Sequence, residues 1–420
     1  MSSWQLAGAV SRRGQLGVIS AAAIDTVLVR RLQDGDEGGH VRRAMRAYPL
    51  PETCEVLMRR YYLAPGARGS MPYKTLPMYR QSATLMSQRI TMLASFVEVW
   101  LAKEGHDGVV GISLATTVQM PALPSLYGAM LAGVDYVLMG PGIPREIPVV
   151  LDALAEHRAA RIALDVNGPR GPAADELVFD PRAHLPGDHP SLRRPRLLPV
   201  VSSGSAATMV ADDMSCVADG VIVEGPIAAP LGLPYWLADS AATPESLRAA
   251  RSAGAAGVQI EALFAYCDES GLASGYKARV RAGVAAGRVH VQTELRPSPT
   301  GYALQIICED GAQDDDHRVR RCDLGYFRTA YRMPGGKIGY RCAAEPVDQY
   351  VGKGGDVTET VGRRCLCNAL TANIGQAQHR DEGDEGPLLP GGDDLSSLDT
   401  FARGRAHYSA SDVLAYLLAP

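Results

Sequence analysis

The sequence lacks long apolar runs and a dense set of cysteines. No stretch of about 18 consecutive apolar residues occurs, so we expect no transmembrane helix and no membrane partner. The first residues show no basic stretch followed by an apolar segment and a small-residue cleavage site, so we expect no secretory signal. Eight Cys in 420 residues are too few for a disulfide framework, which favours a reducing, cytoplasmic location.

The chain also lacks an excess of either charge. Lys and Arg number 42 against 46 Asp and Glu, so the formal net charge is only −4. Nucleic-acid binding depends on clustered cations that displace counterions, so we expect no nucleic-acid partner. Hydrophobic residues make up 46% of the chain, which is typical of globular proteins, and the length allows one large domain or two ordinary ones.

Short apolar runs alternate with helix-like segments through the first two-thirds of the chain. The runs are rich in β-branched residues and flanked by Gly, as expected for buried parallel strands. They predict strands at Gly14–Ser20, Gly108–Ser113, Tyr136–Gly140, Leu197–Ser203, Gly220–Gly225, Tyr235–Ser240 and Gly257–Leu263. These seven strands and one more would close an α/β fold of the (β/α)₈ TIM-barrel type, and a doubly wound open sheet is the structural alternative.

Two parts of the chain depart from this alternation. Residues 161–196 begin with the apolar run Arg161–Val166 and continue into a stretch punctuated by Gly and Pro, which predicts an irregular insertion or a hairpin. After residue 290 the alternation stops. We therefore predict that residues 1–290 form the barrel and that residues 291–420 form a Cys-containing tail subdomain packed on it.

Two features of the tail can be predicted locally. The stretch Gln378–Asp394 is acidic and rich in Gly and Pro, which predicts a mobile surface loop. A last helix should begin near Ser409 and carry Leu414, Leu417 and Leu418 on one side.

Several segments resemble the FMN-dependent nitronate monooxygenases, once called 2-nitropropane dioxygenases. They are GQLGVISAAAIDTVLVRRLQDGDEGGH, LPSLYGAMLAGVDYVLMGPGIPREIP, ADGVIVEGP, LGLPYWLADSAATPESLRAARSAGAAGVQIEALFA and the tail CDLGYFRTAYRMPGGKIGYRCAAEPVDQYVGKGGDVTETVGRRCLCNAL. The segments follow the family's order and span nearly the whole chain. A related flavin branch, the trans-acting enoyl reductases of polyketide and polyunsaturated fatty acid assembly, shares the barrel and is an alternative.

The resemblance implies FMN at the carboxyl ends of the barrel strands, with the flavin carrying the redox chemistry. It implies oxidation of a small organic, nitronate-like substrate by molecular oxygen, with a His after the sixth strand as the base. At the matching strand ends, the candidate flavin-binding residues of this chain are Ser113, Gly140, Gly225, Asp239, Ser240, Thr243, Glu261 and Ala262.

The chain departs from the family pattern at the first strand and at the sixth crossover. The family opens with an apolar strand, but here the first family helix, Trp4–Arg12, follows Met1 almost at once, so that strand is absent or supplied otherwise. Only nine residues, Pro226–Pro234, connect the sixth strand to the seventh, whereas a crossover with a helix needs about a dozen. We therefore predict an extended loop there. The family's His has no counterpart, and Glu224 is the candidate substitute base.

The predicted phosphate cradle is altered as well. Paired Gly after the seventh strand are replaced by Asp239-Ser240, and a Gly-Thr pair after the eighth by Glu261-Ala262. Side chains at these positions obstruct close approach of the backbone to the phosphate, and two carboxylates would repel a phosphate dianion. We therefore predict weak FMN binding, although Ser240 and Thr243 could donate hydrogen bonds. Where the family has Asn after the strand that ends near residue 113, this chain has Ser113.

Two functional interpretations remain open. The first is a flavin-type oxidoreductase, and the second is a barrel without FMN, either a cofactor-free enzyme or a non-catalytic partner of an active homologue. A homo-oligomer or a homologous partner is compatible with both. Cys322, Cys342, Cys365 and Cys367 lack the paired spacing of zinc knuckles, which favours structural thiols buried between tail and barrel over a metal site.

Overall fold

The structure is a computed structural model that describes residues 2–142, 144–168, 175–214, 218–225, 232–238, 242–294, 304–309, 319–381, 383–392 and 395–419. Its strands are β1 Gly17–Ser20, β2 Val110–Ala115, β3 Tyr136–Gly140, β4 Ala160–Ala163, β5 Val166–Asn167, β6 Glu176–Phe179, β7 Arg196–Val201, β8 Val221–Glu224, β9 Tyr235–Ala238, β10 Gly257–Val258, β11 Val289–Glu294, β12 Leu304–Glu309, β13 Thr329–Arg332 and β14 Ile338–Arg341.

The helices include long barrel helices and short tail helices. They are α1 Trp4–Ser11, α2 Ile24–Gln33, α3 His40–Met45, α4 Pro51–Tyr61, α5 Leu85–Lys103, α6 Ala122–Leu131, α7 Ile147–Ala155, α8 Gly204–Met214, α9 Pro244–Ser252, α10 Ala262–Ala265, α11 Ser274–Ala285, α12 Val347–Gly352, α13 Leu366–Asn373, α14 Ser396–Ala402 and α15 Ala410–Leu417. Short 3₁₀ helices lie at Glu37–Gly39, Pro181–Ala183 and Val357–Thr360. Across the described ranges, no helix has both the length and the apolar composition needed to cross a membrane.

Seven parallel strands form the main sheet, in the order β1-β2-β3-β7-β8-β9-β10. Each strand lies beside the sheet strand that precedes it in the chain, which excludes a doubly wound sheet, because the strand order of that fold reverses at a switch point. Side chains around β1 (Leu16, Val18) pack in the same cluster as Trp236 of β9. In a flat sheet these strands would lie about 24 Å apart, at about 4.8 Å a strand. The sheet is therefore curled, as in a (β/α)₈-type barrel.

The curled sheet is not closed into a ring within the described residues. There β1 pairs only with β2 and β10 only with β9. We call the space between β1 and β10 the seam. Helix α1 packs directly on β1, where a Cβ on Gly17 would lie 1.9 Å from the carbonyl oxygen of Ala7. The fold is thus the barrel type that the sequence predicts, and no strand pairs with the outer edge of β1 in the part of the chain that the structure describes.

The predicted strand positions are confirmed, and most differ from the observed ones only at their ends. Strand β3 has the predicted bounds, whereas the last strand is much shorter than predicted. Only Gly257–Val258 pairs with β9, and the run that follows enters α10. The prediction that Gly257–Leu263 is one strand is therefore wrong, because its second half contains Ala and Leu, which favour a helix.

The predicted hairpin after β4 is confirmed. Strand β4 pairs antiparallel with β6, and β5 adds to β13 of the tail. The predicted loop in the sixth crossover falls largely on residues 226–231, which lie outside the described residues, so it stays a prediction.

Two further antiparallel pairs follow in the chain, β11 with β12 and β13 with β14. The stretch Gln378–Asp394, predicted as a mobile surface loop, is partly anchored. Leu388 and Leu389 are buried, and the side-chain amide of Asn373 both donates to and accepts from the backbone of Leu388, at 2.7 and 2.9 Å. The composition of the stretch obscured its apolar Leu-Leu pair. The division between barrel and tail near residue 290 stays a prediction.

The last helix, α15, begins as predicted. Ser409 caps it by accepting a hydrogen bond from the backbone N–H of Asp412 at 3.2 Å. Leu414 and Leu417 are buried against α1 and the tail, but Leu418 is 42% exposed. Leu418 follows the last residue of the helix and lines the same cavity as Leu414 and Leu417, so the prediction that the three share one side is confirmed.

Candidate active site

The carboxyl ends of several barrel strands surround a cavity of about 570 Å³, which we call the main cavity. Binding sites of parallel barrels lie at this end of the strands. Four of the residues singled out from the sequence line it: Ser113, Gly140, Glu224 and Glu261. They come from four different strands or strand ends, so the fold brings together positions that are distant in the chain.

The walls of the main cavity are largely apolar. Side chains from the barrel interior contribute Leu138, Leu198, Val200, Ile222 and Trp236. The cavity continues through the seam, where α1, α9 and α15 add Leu6, Val10, Leu247, Leu414 and Leu417. A cavity of this size and polarity is typical of sites for a small organic molecule or a cofactor ring.

Two candidate glycines lie at strand ends, and one of them, Gly140, lines the main cavity. A Cβ on Gly140 would lie 2.5 Å from the carbonyl oxygen of Val200, so only Gly allows β3 and β7 to approach at this point. Gly225 has a φ of +119°, which also favours Gly, and lies exposed just after Glu224.

Glu224 is the last residue of β8 and is half-buried at the main cavity, in register with Ala238 of β9. Glu261 is exposed at the rim, directly before the four-residue helix α10. Ala262 is the first residue of that helix and is half-buried. Two carboxylates therefore border the cavity.

Thr243 acts as a helix cap. Its hydroxyl oxygen accepts from the backbone N–H of Ser246 at 3.1 Å and its hydroxyl donates to the Ser246 hydroxyl at 3.0 Å, at the start of α9. Its predicted contact with a phosphate stays a prediction. Asp239 and Ser240 lie outside the described residues, so their predicted place in a phosphate cradle stays a prediction.

The polar groups of the main cavity are acidic or neutral. No Lys, Arg or His occurs among the described residues that line it. The buried side-chain oxygens Gln259 Oε1 and Ser270 Oγ have no hydrogen-bond partner among the described residues. Buried polar atoms are normally paired, so these two indicate a ligand or water with hydrogen-bonding groups at that place. The described lining thus fits a neutral ring with a polar edge better than a phosphate.

A second cavity of about 160 Å³, the small cavity, adjoins the main one. The two share Ser20, Ser113 and Gly140, the last residues or near-last residues of β1, β2 and β3. Asp25 of α2 lines the small cavity, and its side chain is only 3% exposed. Reasoning from the sequence missed Asp25 entirely.

Hydrogen bonds hold the Asp25 carboxylate from three sides. Its Oδ1 accepts from the Thr26 backbone N–H at 2.7 Å and from the Tyr326 hydroxyl, while Oδ2 accepts from the Thr91 hydroxyl at 3.2 Å. The Tyr326 hydroxyl also contacts the Thr26 hydroxyl at 2.9 Å. Helix α2, helix α5 and the tail therefore meet at one buried carboxylate.

The burial of Asp25 predicts a pH-dependent stability. Burial raises its pKa from 3.8 to about 6, against smaller opposing effects of the Thr26 N–H and the Thr91 hydroxyl. Because the folded chain holds this proton more tightly than the unfolded chain does, the stabilisation is complete below pH 4 and is lost as the pH rises towards 6. The loss is about 3 kcal/mol.

The measurement is the free energy of unfolding of the wild type minus that of Asp25→Asn, followed from pH 4 to pH 7. The difference should fall by about 3 kcal/mol over this range. His184, whose pKa burial lowers to about 4, gives an opposite trend in the same range, but it is present in both proteins and cancels in the difference. A difference that stays constant with pH would contradict the assignment.

Three of the four tail cysteines are buried, as the sequence predicted for all four. Cys342, Cys365 and Cys367 are buried and Cys322 is half-buried. Across the ranges that the structure describes, no three His, Cys, Asp or Glu side chains are arranged to hold a metal ion.

Comparisons with known proteins give distant structural likenesses. No family model matches the sequence, and no curated protein matches it. FabK from Thermotoga maritima is 13% identical, with a TM-score of 0.45 over 99% of this chain and 88% of that chain. A nitroalkane oxidase from Streptomyces ansochromogenes is 14% identical, with a TM-score of 0.41 over 100% and 92%. The enoyl reductase domain of MlnA from the macrolactin biosynthesis cluster of Bacillus amyloliquefaciens is 13% identical, with a TM-score of 0.34 over 55% and 57%. At this distance the likeness assigns no activity to this chain.

Proposed function

We propose that this chain is a flavin-type oxidoreductase that acts on a small organic, nitronate-like substrate. The main cavity carries the proposal, because it lies at the carboxyl ends of parallel strands and combines apolar walls with unpaired polar atoms. A flavin ring is flat and largely apolar with a hydrogen-bonding edge. Gln259 would meet that edge, and Leu198, Ile222 and Trp236 would contact the ring.

The described residues fit the ring of FMN but not its phosphate. A phosphate dianion is usually held by backbone N–H groups or by cations. The described lining offers Glu261 at the rim and no cation. We therefore propose that the ring supplies most of the flavin affinity of this chain.

When bound, the flavin would supply the redox chemistry by accepting electrons from the substrate and passing them on. The chain itself would position the substrate and move protons. Glu224 is the proposed acid–base group, since it is the carboxylate that lies on a rigid strand end, half-buried at the main cavity.

The variant Glu224→Gln tests this role. It keeps the size of the side chain but cannot take a proton, so turnover of ethyl nitronate with added FMN should fall by about 10²- to 10⁴-fold. The Michaelis constant should change little, because the shape of the cavity is preserved. Oxygen uptake measures the turnover.

A matched control is Glu156→Gln, the same chemical change at an exposed residue of α7's end, outside both cavities. It should leave turnover unchanged. Unchanged turnover in Glu224→Gln would remove Glu224 from the mechanism.

A barrel retasked to work without FMN is the second candidate. The observation that favours it is the pair of carboxylates, Glu224 and Glu261, in a described lining without cations. It differs from the first candidate in one measurable property, since such a protein would bind neither FMN nor riboflavin.

A further inference from the structure

Asp25 has an unused position for a proton. Each carboxylate oxygen can accept two hydrogen bonds. Oδ1 already accepts two, from Thr26 and Tyr326, whereas Oδ2 accepts one, from Thr91. Among the described residues, one lone pair on Oδ2 therefore remains for a further donor, and Asp25 lines the small cavity.

The groups around Asp25 are neutral. The titratable side chains that face it are Tyr79 and Tyr326, which belong to its hydrogen-bond network, Tyr61 of α4, and Cys367 across the small cavity. Burial raises the pKa of Tyr79 well above its ordinary value, and the hydrogen bond with Cys365 together with burial does the same for Cys367, so both stay protonated near neutrality. Asp25 is thus the group in this surrounding that can exchange a proton at moderate pH.

The small cavity limits the size of what Asp25 can meet. A water molecule takes up about 30 Å³ in the liquid, so 160 Å³ holds about five non-hydrogen atoms. Nitroethane has that size. Ser20, Ser113 and Gly140, at the ends of three strands, line both cavities, so such a molecule would lie next to the main cavity.

We propose that Asp25 is a second catalytic base, which takes a proton from the acidic carbon of a small neutral C–H acid, such as a nitroalkane, bound in the small cavity. The C–H bond breaks, an O–H bond forms at Oδ2, and the electron pair stays on the substrate, spread onto its nitro group. No oxidant takes part in this step. The nitronate that forms would then be the species oxidised at the main cavity, and this last clause rests on the proposed function.

Hydrogen–deuterium exchange tests the proposal without flavin. The full-length protein is incubated with nitroethane in D₂O, and the loss of the CH₂ signal is followed by proton NMR. The wild type should accelerate exchange above the buffer rate. In Asp25→Asn the protein-dependent exchange rate should fall by a factor of at least about a hundred, the usual contribution of a general base. Asp152→Asn, the same change at an exposed residue of α7, should exchange like the wild type.

The pH profile separates a chemical role of Asp25 from a structural one. The wild-type rate should rise with pH through a midpoint near 6. Tyr326→Phe removes a donor to the carboxylate, so its midpoint should move to higher pH. A merely structural Tyr326 would lower the rate without moving the midpoint. This arm remains informative even if Asp25→Asn does not fold.

Four results would overturn the proposal: no exchange above buffer by folded wild type, wild-type exchange by folded Asp25→Asn, no inflection near pH 6, or a midpoint unmoved in Tyr326→Phe. The proposed redox function is judged separately, with ethyl nitronate and FMN. Folded Asp25→Asn should still oxidise preformed nitronate. If this variant lost both nitronate oxidation and nitroethane exchange, the role of Asp25 would not be limited to deprotonation. Exchange by a wild type that never oxidises nitronate would support the base and reject the oxidoreductase.

Discussion

FMN is expected to bind this chain no more tightly than riboflavin, which carries the same ring without the phosphate. The ring would meet apolar walls and the Gln259 amide in the main cavity, but the described lining offers the phosphate no cation and places Glu261 at the rim. The sequence predicts a further carboxylate there, because Asp239 stands where the resembled family has glycine. One uncompensated repulsion of about 1.4 kcal/mol weakens binding about tenfold.

Fluorescence titration of both flavins measures this difference. The double variant Asp239→Gly/Glu261→Gly should improve FMN affinity by about 10- to 100-fold, one factor of ten for each repulsion removed. Its riboflavin affinity should stay nearly constant, which serves as the internal control. Protein that purifies yellow with near-stoichiometric FMN would contradict the prediction and strengthen the oxidoreductase. Absence of binding by either flavin, even in the double variant, would favour the retasked barrel.

The packing of α6 on α5 should tolerate no side chain at Gly128. A Cβ there would lie 2.1 Å from the carbonyl oxygen of Met92 and 2.6 Å from its carbonyl carbon. These are backbone atoms of a buried helix, so relief requires the helices to move apart. Gly128→Ala should lower the free energy of unfolding by about 3 kcal/mol or more, the upper part of the range for overpacked cores. Denaturant unfolding followed by circular dichroism measures it.

Gly275→Ala provides a matched control in another helix, α11. Nothing lies within 4 Å of a Cβ at Gly275. Since Ala favours helix over Gly, this variant should be neutral or up to about 1 kcal/mol more stable. An equal change in the free energy of unfolding in Gly128→Ala and Gly275→Ala would show that the clash with Met92 is relieved easily.

The repeating part of the fold could be predicted from the sequence because each strand carries its own signal. The run Tyr136–Gly140 is apolar, short and ends in Gly, and it matches β3 at both ends. Local signals fail where a short apolar run is compatible with both a strand and a helix. Gly257–Leu263 is such a run, since it contains β10 and the start of α10. They also fail where composition hides a buried pair, as at Leu388 and Leu389.

The site could be predicted only as far as strand ends reveal it. Glu224 and Gly140 were found because they terminate apolar runs, and parallel strands place their carboxyl ends together. Asp25 gave no such signal, since a single acid at the start of a helix usually indicates a favourable helix dipole. Its partners Thr91 and Tyr326 lie 66 and 301 residues away in the chain, so only the folded structure shows them together.

Because of the seam, the curled sheet is a ring that is open between β1 and β10. In a closed barrel every strand is hydrogen-bonded on both edges, so strand number and stagger fix the circumference. Among the described residues, the two free ends of this ring are bridged by α1 packing against α15, through side chains such as Leu6 and Leu417. Widening the ring therefore breaks no bond of the strand ladder. The size of the molecule that fits the main cavity then depends on how α1 and α15 pack on the outside of the barrel. Substitutions in these two helices would change that size without altering a strand end.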